Sequence, residues 1–103
     1  MKYRTIEAIQ NEQKNTRAEL NEARAEHEHA EHITTIAWHR VLYYEHEAFY
    51  HDEHDTRFNN AMARAYDIYD NARNAEREHA ERVEKLQIIL EHLNALIELY
   101  YNE

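Results

Sequence analysis

Glycine, proline, cysteine and serine are all missing from the 103-residue chain. Without glycine, no residue enters the left-handed backbone region at little cost, so glycine-closed helix ends and primed hairpin turns are excluded. Without proline there is no rigid punctuation of a helix. The lack of cysteine removes disulfides, thiolate metal ligands and thiol catalysis together, and the lack of serine removes the commonest hydroxyl nucleophile. Uninterrupted apolar runs stay far short of the roughly 18 residues that a membrane-spanning helix needs. No charged, apolar and small-residue leader is visible either, so neither a membrane nor a secretory route is expected. The compartment stays open: a soluble chain, cytoplasmic where it is expressed recombinantly.

What is present is acidic and helix-forming. Twenty-one acidic residues against 12 basic ones leave a formal charge of -9, which argues against a nucleic-acid partner, since phosphate binding draws on clustered Lys and Arg. Nine histidines offset this under acid: protonating all of them brings the net charge to about zero, in line with the sequence pI of 5.4. Hydrophobic residues make up 43% of the chain, but 14 of them are Ala and eight are Tyr. The deeply apolar set is therefore small, and one domain spanning 1–103 has little material for a core of its own. No Gly-rich phosphate loop or nucleotide-binding motif occurs, so no catalytic residues, no small-molecule substrate and no enzyme activity are expected.

Periodicity points to an all-α fold. Ile9, Leu20, Ala23, Ala30, Ala37, Val41, Tyr44 and Ala48 recur at alternating three- and four-residue spacing, which places them on one helical face. The same series passes through Gln13, Thr16 and His27, a polar middle. A second series runs Phe58, Met62, Ala65, Tyr69, Ala72, Glu76, His79, Val83, Leu86, Leu90, Leu93, Ile97 and Tyr100, interrupted only by Glu76 and His79. Between the two, residues 45–60 are poor in aliphatic side chains. Asp52 and Asp55 suit helix N-caps and Asn59 and Asn60 suit a turn, which predicts a reversal near 51–56. The expected fold is a long antiparallel helical hairpin that pairs as a homodimer into a four-helix bundle. Caps at Thr34 or Thr35 and at Asn71 would instead divide the chain into a three-helix bundle, and a capping box at Thr16 and Glu19 would suit four short helices.

One motif is repeated. "EHEHAEHI" at 26–33 returns as "EREHAERV" at 76–83, and Asn21–Ile33 matches Asn71–Val83 at seven of 13 positions. Each copy carries Glu-x-x-His, at Glu26/His29 and Glu76/His79. A hairpin turning near residue 53 sets 26–30 opposite 76–80, so the two pairs would face each other, with carboxylate and imidazole on the same side of each helix. These eight-residue stretches resemble the metal-binding helices of ferritin-like di-iron carboxylate proteins. That resemblance implies a site for Fe, Zn or another divalent metal held by Glu26, His29, Glu76 and His79. The favoured reading of Glu76 and His79 is a hydrogen-bonded polar layer or a solvent-exposed helix end, without metal or other cofactor; adventitious metal binding by the abundant surface histidines comes next, and the metal site is the alternative.

Taken whole, the omission of four residue types and the unbroken helical patterning resemble de novo designed, computationally generated helical bundles. That resemblance implies a chain whose property is to fold and self-associate. Tyr43, Tyr44, Tyr50, Tyr66 and Tyr69, spaced among carboxylates, are expected to pack rather than to carry redox chemistry, and Trp38 is expected to anchor a core or an interface.

Overall fold

A computed structural model describes residues 5–102. It contains two long α-helices, α1 (Ile6–Glu47) and α2 (Thr56–Asn102), with a short 3₁₀ turn at Ala48–Tyr50. No strand occurs among the described residues. The helices pack against each other within each of two compact units. One unit is built from the described parts of Met1–Glu26 and His79–Glu103, the other from His27–Glu78.

Neither helix is broken where caps were available. Thr34 and Thr35 lie inside α1 and turn their hydroxyls back along it, Thr34 Oγ1 donating to the Ala30 carbonyl at 2.9 Å and Thr35 Oγ1 to that of Glu31 at 3.0 Å. A threonine that satisfies itself on the carbonyl four residues back has no need of a helix start. Asn71 likewise sits within α2, and Thr16 is buried inside α1. The three-helix and four-helix divisions of the chain are therefore not adopted.

Helix ends form without glycine. Thr5 Oγ1 accepts from the Ala8 amide at 3.1 Å and caps α1. At its other end α1 tightens into the 3₁₀ turn, and His51 then leaves in extended geometry (φ -115°, ψ 145°). Among the described residues none adopts positive φ. Both aspartates expected at the reversal are used: Asp52 Oδ1 accepts from the His54 amide at 2.9 Å in a local turn, and Asp55 Oδ1 accepts from the Phe58 amide at 3.1 Å as the cap of α2. Asn59 lies one turn inside α2, where its side-chain amide donates to the Glu53 carbonyl at 2.9 Å and braces the turn.

The Phe58 amide holds the Asp55 carboxyl below its ordinary value, helped by the His51 ring, whose Nδ1 lies 3.0 Å from Oδ2. A carboxylate with a depressed folded pKa contributes stability above the ordinary aspartate value, and that contribution is lost as the pH falls through the lower, folded value. Asp55→Ala is therefore expected to lower the melting temperature at neutral pH, and the deficit should shrink toward zero in strong acid. Asp55→Asn, which keeps a capping oxygen, should recover part of it. Melts followed by circular dichroism check this; equal melting temperatures for wild type and Asp55→Ala at neutral pH would contradict it.

The buried positions follow the two sequence series. Ile9, Leu20, Ala23, Ala30, Ala37 and Val41 are buried on α1, and Ala65, Leu86, Leu90 and Leu93 on α2. In the first unit Leu20 and Ala23 cluster with Leu86 and Leu90, with Val83 against them. The polar seam position Gln13 is paired across the helices, its side-chain amide donating to Asn94 Oδ1 at 2.6 Å. In the second unit Thr34 also reaches the Ala72 carbonyl at 3.2 Å, and the rings of Trp38 and Tyr69 meet at 5.0 Å. Both contacts have the register expected of a reversal near residue 53.

Candidate metal centre

The second unit gathers three potential ligands. His27 and Glu31 stand four apart on α1 and so share a face, and Glu76 approaches from α2; one donor atom from each lies within 4.8 Å of the others. His27 Nε2 is 3.2 Å from Glu31 Oε1. His27 and Glu76 are half-buried while Glu31 is exposed. Beside them lies an open hollow lined by Glu31, Thr34, Thr35, Trp38, Tyr69 and Glu76.

The first unit uses Glu26 and His79. Glu26 Oε2 accepts from the Arg82 guanidinium at 2.8 Å, and His79 Nδ1 lies 3.8 Å from the same oxygen. Arg82 thus serves a carboxylate on the other helix. A carboxylate already neutralised by a guanidinium is a weaker ligand for a cation than a free one. His29 is exposed and joins no group of three possible ligands among the described residues. Of the four residues marked by the repeat, Glu26 therefore meets His79, and Glu76 meets His27 and Glu31.

No family model, curated protein or solved structure matches the chain.

His27 and Glu31 were not among the residues the repeat singled out. Their signal was nevertheless present: His27 falls on the apolar series of α1, and Glu31 follows it at the four-residue spacing that makes helical neighbours. Some of the aromatic residues pack, while Tyr43 and Tyr50 stay exposed. Besides the Trp38–Tyr69 pair, Tyr44 lies 5.7 Å from Phe58 and the Arg73 guanidinium sits 5.7 Å over the Tyr69 ring. Tyr66 donates its hydroxyl to Glu45, and this hydrogen bond, which holds the proton on the phenol, raises its pKa above the ordinary value.

Proposed function

We propose that the chain is a non-natural helical-bundle protein whose property is to fold and to self-associate, two hairpins pairing into a four-helix bundle, without an evolved catalytic activity. The observation that carries this reading is the balance of buried and exposed apolar residues. Among the described residues ten apolar ones are buried, and four of these are Ala; 14 large apolar or aromatic side chains are exposed. They include Ile33, Ile36, Leu42 and Ile68 in the second unit and Ile88, Ile89 and Leu99 in the first.

A second copy of the chain is a suitable cover because it brings the same apolar stripes, flanked by the same mixed charges, in a two-fold arrangement. The composition supports the non-natural origin: the C-terminal end of α1, a place that elsewhere draws on glycine, is closed here by a 3₁₀ turn.

Self-association makes stability depend on concentration. The melting temperature is expected to rise by several degrees for each tenfold increase in chain concentration. A melting temperature constant over a hundredfold range would contradict a two-hairpin assembly.

A further inference from the structure

Among the described residues the carboxylates of Glu31 and Glu76 have no Lys or Arg ion-pair partner, in contrast to Glu26 with Arg82. Two carboxylates sit beside one imidazole, and the deficit of positive charge equals that of a divalent cation. The donors are also well spaced. Ligands on a tetrahedral zinc-type ion at 2.0–2.1 Å stand about 3.3 Å apart, and the His27 Nε2 to Glu31 Oε1 separation is 3.2 Å. Glu76 needs only a side-chain adjustment to complete a third vertex, since its oxygen lies within 4.8 Å of both.

The helices around the site are held in place. Thr34, one turn beyond Ala30, shares its single hydroxyl proton between the Ala30 carbonyl on its own helix and the Ala72 carbonyl on α2, and the Trp38–Tyr69 contact closes the next turn. From this we propose that His27, Glu31 and Glu76 bind one divalent transition-metal ion, with a coordination position left open toward the hollow beside Trp38. An imidazole ligand selects zinc, copper, nickel or cobalt over calcium and magnesium, which take oxygen donors. Three protein donors leave a fourth position for water or a small exogenous ligand, as in metal sites that are open rather than purely structural.

The site carries its own reporter. Trp38 is the single tryptophan and lines the same hollow as Glu31 and Glu76. Titration with Cu²⁺ is expected to quench its emission saturably at one ion per chain, with Zn²⁺ restoring it by competition. His27→Ala and Glu31→Gln should each move the midpoint to about tenfold higher Cu²⁺ or more, because losing a direct ligand costs at least as much as losing its supporting partner. Glu31 is exposed, so Glu31→Gln leaves the packing alone, and unchanged helicity by circular dichroism confirms this. His29→Ala, an exposed change on the same helix, should titrate like wild type. An unquenched wild type, a His27→Ala variant that titrates like wild type, or equal losses in His27→Ala and His29→Ala would overturn the proposal. A loss confined to His79→Ala would place the ion with Glu26 and overturn it equally.

Discussion

Replacing Ile88 and Ile89 together by Lys is expected to turn an associating chain into a lone one. Both side chains are exposed on α2, at 58% and 43%, and both fall between the buried Leu86 and Leu90 in the sequence. Covering an Ile side chain contributes roughly 1.5–3 kcal/mol, and in a two-fold pair each substitution acts twice. Even if only one of the two positions is covered, the loss is about 3–6 kcal/mol, which weakens association by about two to four decades. Lys adds two positive charges to a chain at -9, so net self-repulsion falls, and dissociation follows from lost apolar cover together with the cost of desolvating ammonium groups at the interface. Asn74→Lys, on an exposed polar position, is the control and should leave association intact. Size-exclusion chromatography with light scattering reads the outcome. A double variant that keeps the wild-type mass would show that these residues are not covered by a second copy.

Leu20→Ala is expected to have one of the largest effects of any single core truncation in the first unit. Leu20 is 1% exposed and clusters with Ala23, Leu86 and Leu90, neighbours on rigid helices that cannot close a void by backbone movement. Buried Leu→Ala changes cost about 2–5 kcal/mol, the lost transfer energy plus the cavity left behind. For a chain of this length that is a fall in melting temperature of roughly 10 °C or more. The magnitude matters because the core is thin: Leu20, Leu93 and Val41 are the largest fully buried side chains. Chemical denaturation monitored at 222 nm gives the free-energy difference, and a loss under about 1 kcal/mol would mean that Leu20 is not enclosed.

Much of the fold was legible because it rests on period alone. The series through Leu20, Ala23, Ala30, Ala37 and Val41 is the buried face of α1, and that through Ala65, Leu86, Leu90 and Leu93 is buried on α2. The reversal was legible because Asp52 and Asp55 have few uses other than the turn and cap they form. Thr34 and Thr35 were ambiguous for a physical reason: the same hydroxyl starts a helix by accepting from an amide or rides inside one by donating to a carbonyl. Tertiary packing adds to the choice at Thr34, whose hydroxyl also lies 3.2 Å from the Ala72 carbonyl on the other helix, whereas Thr35 rests on the carbonyl four residues back.

The candidate site was less legible. The repeat drew attention to Glu-x-x-His pairs along each helix, but which ligands converge depends on where each side chain meets the other helix. Glu26 is drawn to Arg82, and Glu76 finds His27 and Glu31 instead. The self-similar Glu, His and Arg vocabulary offers many such pairings, and a step of one residue exchanges one for another.

The central claim, that the exposed apolar stripes are covered by a second copy of the chain, is tested most directly by sedimentation equilibrium at neutral pH over a wide concentration range. The account predicts a species of twice the chain mass of 12.6 kDa that dissociates only on strong dilution. A fully helical species that remains at the single-chain mass at every concentration would contradict it.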